Sequence, residues 1–313
     1  MKNPWLIALA SVLGGAVYGL LHYFIFRFDD ELMTVSFIFL VPLAMGVVAA
    51  LLSPISKPAR SYGHAALAIL FVTVGTTIWQ YESMFCWVIL APIAFVFASL
   101  GVFIVNLFRK RFSQQSNLLF GLVLLPVVAM QLEQSLPDAT TYQTTHTSVV
   151  IHASPERVWD AIKSVPEIQP HEYKTSWTHA MGLPRPLAAT LSHEGVGGVR
   201  RAGFSNGLEF LEEVSDWQVN KTLAFSITAQ GQADARRAFY LGPEIGGKFV
   251  DVQSGRYTLE GLDNGQTLLH LYSTQRLSSK LNLYAGFWVH AVMRDLQSTI
   301  LEVIKNRCEN VVL

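Results

Sequence analysis

Residues 281–307 read LNLYAGFWVHAVMRDLQSTILEVIKNR, and the rest of the chain is organised around them. An α-helix turns about 100° per residue. With Val292 as the centre of a face, Leu281, Ala285, Trp288, Val289, Leu296, Thr299 and Val303 fall within about 60° of it, as an amphipathic helix requires. His290, Arg294 and Lys305 fall on or toward the far side. A helix this long with one apolar stripe needs a broad surface to lie on. The segments before it supply that surface if they form a curved sheet.

Those segments read as strands from Gly195 onward. The candidates are Gly198–Phe204, Leu208–Trp217, Leu223–Ala229, Lys248–Leu262 and Thr267–Leu277. They are joined by Ser205-Asn206-Gly207, Asn220-Lys221 and Asp263-Asn264-Gly265, and Asn-Gly pairs are the strongest short hairpin signal. Upstream, His146–Ala153 is rich in β-branched residues and reads as a strand. Ser154-Pro155-Glu156 then supplies a cap residue, a proline at the first helical position and an acid in the first turn. The helix Pro155–Lys163 would bury Val158, Trp159 and Ile162. Strand, helix, a run of antiparallel strands and a long helix pack most economically as an α+β domain with the helix laid across the sheet.

At this point the chain resembles a family. The segments SVVIHASPERVWDAI, GVGGVRRAGF and YTLEGLDNGQTLLHLYS, and the final helix to IKNRC, are similar to the START-like polyketide cyclase/dehydrase superfamily (SRPBCC). The likeness covers about Thr145 to Cys308, and the strand followed by A-S-P-E-x-V-W is its most specific part. It implies a helix-grip fold with a hydrophobic-ligand cavity between sheet and helix. Members bind lipids, sterols, polyketides or aromatic compounds, and some are enzymes. The stretch Glu167–His193, with MGLPRP, departs from the short second helix usual there.

The N-terminal part is different in kind. Only 15% of the 313 residues are charged, against about 25% in ordinary globular chains, and the shortage is concentrated before Gln131. Five apolar runs stand out: Pro4–Phe26, Met33–Leu52, His64–Gln80, Met84–Phe108 and Asn117–Leu132. About 20 apolar residues cross a bilayer core, a length that the first, second and fourth runs meet. The first is too long for a signal-peptide core and lacks a small-residue cleavage site, so it reads as a helix. The expected organisation is an α-helical membrane bundle of about five spans over 1–133, a polar linker over 134–145, and the helix-grip domain over 146–313. Gly14, Gly15 and Gly19 form a small-residue stripe that reads as a helix contact.

Basic residues set orientation. Lys2, then Lys57 with Arg60, then Arg109, Lys110 and Arg111 mark the same side, which places the N-terminus in the cytoplasm. Five spans then carry the C-terminal domain outside it, in an inner or plasma membrane. If Asn117–Leu132 only lies in the interface, the domain returns to the cytoplasm.

Candidate chemistry is sparse. No phosphate-loop, zinc-protease or serine-hydrolase signature is present, and no histidine pair has the helical spacing of a metal site, so no metal, cofactor or catalytic residue is assigned. Arg200 and Arg201 lead a strand, so one faces the concave side and could bind a ligand anion; Arg201 is taken as the cavity candidate. On Thr267–Leu277, Leu269 and Leu271 share the core face, and His270 and Tyr272 the other. The candidate ligand-cavity residues are Trp159, Arg201, Phe210, Tyr257, Leu269, Leu271, Trp288, Val292 and Leu296.

Zero net charge argues against a nucleic-acid partner. The expected partners are the lipid bilayer and a hydrophobic small molecule or lipid, with a protein partner or a second copy reachable through the membrane region. The leading expectation is a membrane-anchored binding or transport protein. A cyclase- or dehydratase-like enzyme and a membrane scaffold are the alternatives.

Overall fold

Among the described residues, helices dominate up to Gln134 and a sheet dominates the rest. A computed structural model describes residues 4–28, 34–54, 57–79, 84–111, 116–231 and 244–309. Met33 and Gln80, the ends of two expected spans, lie outside the described residues, as do Lys2, Asp29, Asp30, Glu31, Glu82 and the tail from Asn310. The chain divides into two compact units, Met1–Ala139 with Ser279–Leu281, and Thr140–Ser278 with Asn282–Leu313.

The first unit contains α1 (Pro4–Phe28), α2 (Val41–Leu52), α3 (Pro58–Ile78), α4 (Met84–Arg111) and α5 (Ser116–Gln134), with a π-turn at Ser36–Leu40 running straight into α2. Its core mixes large residues such as Phe26, Met45 and Ile69 with small ones, among them Ala16, Ala49, Ala68 and Ala98. Small residues let helix backbones approach without a side chain between them. The closest approach is reciprocal. A methyl on Gly46 of α2 would stand 2.0 Å from the Ala98 carbonyl oxygen, and one on Gly101 of α4 would stand 2.1 Å from the Leu43 oxygen. The expected stripe on α1 also faces neighbours, Gly15 against Ala68 and Gly19 against Met45. Glu133, near the end of α5, accepts from the Val35 N–H (2.7 Å), the Ser36 N–H (2.9 Å) and the Ser36 hydroxyl (2.6 Å). A carboxylate is favoured at such a helix start because the amides there have no partner of their own.

Among the described residues three helices are long and apolar enough to cross a membrane: Pro4–Arg27, Pro58–Ile78 and Cys86–Arg109. This corrects the expectation for the second and third runs. The second is shortened to Ser36–Leu52, and the third gains a turn by starting at Pro58, where proline suits the first helical position.

The second unit is a seven-stranded antiparallel sheet in the order β1-β7-β6-β5-β4-β3-β2. The strands are β1 (Thr140–Ile151), β2 (Pro186–Leu191), β3 (Val199–Phe204), β4 (Glu209–Gln218), β5 (Thr222–Gln230), β6 (Val250–Gly261) and β7 (Thr267–Ser278). The helices are α6 (Pro155–Lys163), the single turn α7 (Trp177–Ala180) and α8 (Asn282–Glu309). This layout is consistent with a helix-grip fold. Bulges at Val214/Asp216 and Val252/Ser254 bend β4 and β6. Asn206 and Asn220 take positive φ, 66° and 59°, in two of the expected hairpin turns.

Two differences from the sequence expectation matter. Strand β1 begins at Thr140, so half of the stretch read as linker is strand, paired with β7 from Thr140↔Ser278 to Ile151↔Thr267. The departure Glu167–His193 contains β2, which adds an edge strand beside β3.

The apolar core forms two clusters. One joins Ile151, Val158, Trp159 and Ile162 to Leu223, Phe225, Tyr257, Leu269 and Leu271, with Leu301, Ile304 and Cys308 of α8. The other joins Ile168, Tyr173, Ala202, Leu208 and Phe210 to Val303. The second half of α8 is therefore buried on two faces at once, a wider arc than the single stripe predicts.

Candidate functional site

Among the described residues, the concave side of the sheet carries buried charge at one place. Alternation on β4 sends Phe210, Glu212 and Val214 to the same buried face, and alternation on β3 sends Arg200 and Ala202 there. Arg200 and Glu212 are register partners, 4% and 7% exposed, and the guanidinium Nη1 donates to Glu212 Oε2. The Phe225 ring lies 5.7 Å under the guanidinium carbon. Tyr257, 2% exposed on β6, interacts electrostatically with both charges. Burial pushes the Glu212 carboxyl up, and the adjacent guanidinium pulls it part of the way back. Burial likewise pushes the Tyr257 phenol up, to about 12. Arg200 Nε is buried with no hydrogen-bond partner among the described residues. The group is a neutralised, desolvated ion pair with one donor left over.

Arg201 is not part of it. Its side chain is 62% exposed and pairs with Glu209 on the opposite face of the sheet. The expectation that Arg201 faces the cavity is corrected: Arg200 is the inward cation. A readable signal existed in β4, where a carboxylate sits between Phe210 and Val214 in alternation and so needs a buried cation opposite.

The other expected site residues separate into two sets. Trp159, Tyr257, Leu269 and Leu271 pack together in the first apolar cluster, Trp159 edge-on to Trp217 at 5.0 Å, and Phe210 packs in the second, edge-on to Phe204 at 5.2 Å. Trp288, Val292 and Leu296 are half-buried and belong to neither cluster. Their helical spacing continues the face of Thr299 and Val303, which is fully buried against the β2–β4 side. The first half of α8 thus carries an apolar row that belongs to neither core cluster.

A polar seam holds α8 to the β1–β7 edge. Gln297, 1% exposed, donates from Nε2 to the Thr145 carbonyl (3.1 Å) and to Ser273 Oγ (2.9 Å), and accepts from the Thr147 hydroxyl (2.8 Å). Thr145 Oγ1 donates to Gln275 Oε1 (3.2 Å) and lies 3.3 Å from His290 Nδ1. Gln143 Nε2 donates to the Gly286 carbonyl (3.1 Å). The periodicity places His290 away from the Val292 face, and it sits at this edge. The seam went unread in the sequence because scattered Thr and Gln carry no spacing signal.

The departure Glu167–His193 is tied to the same helix. Arg307 holds the Glu172 carboxylate in two places, Nε to Oε1 at 2.5 Å and Nη2 to Oε2 at 2.9 Å, which lowers that carboxyl below its usual range. Asn306 donates to the Glu172 carbonyl, and Thr178 donates to Asp295. His179 is 4% exposed beside Tyr173, and burial lowers its pKa. No group of three or more His, Cys, Asp or Glu that could hold a metal ion occurs among the described residues.

A groove of about 980 Å³ lies on the outer side of α8. Its walls include Tyr142, Trp177, Leu283, Phe287, Arg294 and Asp295.

No family model matches this sequence, and no curated protein matches it. Solved structures do. A truncated norcoclaurine synthase from Thalictrum flavum is 10% identical, over 54% of this chain and 94% of that one, with a TM-score of 0.34. DynU16, encoded in the dynemicin biosynthetic locus, is 17% identical over 53% and 48% of the two chains, with a TM-score of 0.31. The Aha1 dimer from Colwellia psychrerythraea is 18% identical over 53% and 96%, with a TM-score of 0.31. Likeness of this degree bears on neither ligand nor activity.

Proposed function

We propose that this chain is a membrane-anchored binding protein for an apolar molecule with one polar head, held between the sheet and the first half of α8. The observation that carries the reading is the half-buried row Trp288, Val292 and Leu296, inward-facing by its spacing yet outside both apolar clusters. Default ligand sites are apolar with few convergent polar groups. Arg200 supplies such a group, since its buried Nε is free to donate to a ligand oxygen. Among the described residues, three helices long and apolar enough to cross a membrane support the anchor, and a tether of that kind raises the local concentration of membrane-dissolved ligands. The reading includes the five-span arrangement with a cytoplasmic N-terminus, which a reporter fused after Leu313 tests: activity of a cytoplasm-only reporter there overturns it.

Native mass spectrometry of the detergent-purified full chain tests the binding itself. A co-purifying lipid or small molecule is expected, and Val292→Trp, which adds bulk to the row that would line the site, removes it. A chain that carries nothing, and that takes up no lipophilic fluorophore sensitive to Val292→Trp, overturns the reading.

A second reading is favoured by one observation. Arg200, Glu212 and Tyr257 converge inside the sheet, and an acid/base cyclase or dehydratase needs ionisable groups together in a dry site. The phenol at about 12 is a proton donor in this state, not a base. Tyr257→Phe separates the two readings: it abolishes turnover of an aromatic polyketide-like substrate in an enzyme, and leaves apolar ligand binding intact in a carrier.

A further inference from the structure

The first two turns of α8 also carry two large apolar residues on the outside. Leu283 is 96% exposed and Phe287 is 66% exposed, one turn apart on one face. The same face continues through His290, Arg294 and Ser298 along the outer groove. Polarity therefore changes along the helix axis rather than around it, apolar at the start and cationic later. Tyr142 (65% exposed) and Trp177 (40% exposed) also line the groove.

The chain itself says which phase this end can reach. Helix α8 starts at Asn282, just after Ser278, the register partner of Thr140 at the start of β1. Only residues 135–139 lie between Thr140 and the apolar helix α5, a tether that reaches at most about 20 Å. An amphipathic helix seated at a bilayer surface places its apolar residues about 5–10 Å into the headgroup–acyl boundary, where Trp and Tyr also concentrate. Phe287 and Arg294 are separated by about 10 Å of helical rise, which matches the distance from immersed rings to phosphate.

We propose that the first two turns of α8 seat in the interfacial layer of the bilayer, with Leu283 and Phe287 immersed, Tyr142 and Trp177 at headgroup depth, and Arg294 at the phosphates. The inference rests on the membrane anchor and is independent of any ligand under the sheet.

The test uses the full chain with Cys86 and Cys308 replaced, reconstituted in lipid nanodiscs containing phosphatidylglycerol. An environment-sensitive fluorophore is attached after Leu283→Cys, Phe287→Cys or, as the exposed control, Val219→Cys in the turn after β4. The proposal expects blue-shifted emission at positions 283 and 287, quenched by spin labels placed high on the acyl chain, with neither effect at 219. Adding Arg294→Glu is expected to reduce the quenching at 287. Water-like, unquenched emission at 287 overturns the proposal. Blue-shifted emission that spin-labelled lipid does not quench also overturns it, because protein then covers the face. Incorporation into the discs is scored separately, so failure of the anchor reading is distinguishable from failure of this one.

Discussion

Replacing Glu212 by Gln probes the buried ion pair inside the sheet unit. The substitution keeps the shape and most of the hydrogen-bonding capacity but leaves the Arg200 guanidinium, 4% exposed, without its counter-charge. At contact distance with an effective dielectric near 20, the lost attraction is about 4–5 kcal/mol. Removing one partner of a buried pair costs about 3–5 kcal/mol in practice, because the surviving charge has been taken out of water. For a domain of this size that is a fall in Tm of roughly 10 °C. The assay is a melting curve of the purified full chain followed by tryptophan fluorescence, which reports on Trp159 and Trp217 beside the buried cluster. The double replacement Arg200→Met with Glu212→Leu is the control. It removes both charges, and its stability should lie within about 1–2 kcal/mol of the parent or above it. A drop below about 1 kcal/mol for Glu212→Gln alone would refute the reasoning, since it would mean that Arg200 reaches solvent.

Three further outcomes follow from other parts of the chain. Gln297→Ala strips three hydrogen bonds from the seam between α8 and the β1–β7 edge and should cost about 2–4 kcal/mol, whereas exposed Ser298→Ala should cost under about 0.5 kcal/mol; urea titration of the two variants checks the contrast. Gly46→Val drives a side chain into the Ala98 carbonyl and should lower the melting temperature of the helical unit, by an overpacking cost of about 1–3 kcal/mol, read by a thiol-reactive dye at Cys86 in a Cys308→Ala background. Burial would raise the Glu309 carboxyl, but Lys305, the His152 N–H and the His152 ring together hold it at about 2. Its folded pKa is thus depressed, so its stabilisation is present above the unfolded value near 4.5 and is lost as pH falls toward 2; after discounting for its position at the helix end this is about 1–2 kcal/mol, and Glu309→Gln should flatten acid unfolding over that window.

The pattern-bearing parts of this fold were readable from residues alone. Strands β3 to β7 carry alternation strong enough to place their limits within two residues, and on β7 the inward face too, as Leu269 and Leu271 against His270 and Tyr272 show. Strand β1 was half missed because Thr140–Thr145 is polar on both sides of the pleat. Such a stretch becomes a strand through its twelve-residue pairing with β7, which no local signal encodes. Strand β2 was missed because it is short and begins at a proline. Alternation proves that one of Arg200 and Arg201 faces inward but cannot say which. Only the pairing with Glu212 decides it. The angular count on α8 located Thr299 and Val303 correctly in the interior. It gave no hint that Gln297, on the other side of that stripe, is equally buried, because a helix gripped between two walls buries two faces.

That uneven grip makes α8 a beam clamped at one end. From Gln297 to Cys308 it is held by both apolar clusters, by the Gln297 bonds and by Arg307, while the turns before it rest on a narrower line of contacts. Local opening costs least where buried apolar contacts are fewest. Amide exchange should therefore be faster over residues 283–296 than over 297–308, and a guest beneath Trp288 and Leu296 should narrow the difference by giving the free end something to rest on. Deflection of that end, rather than separation of the whole helix from the sheet, is the least costly way to open the interior.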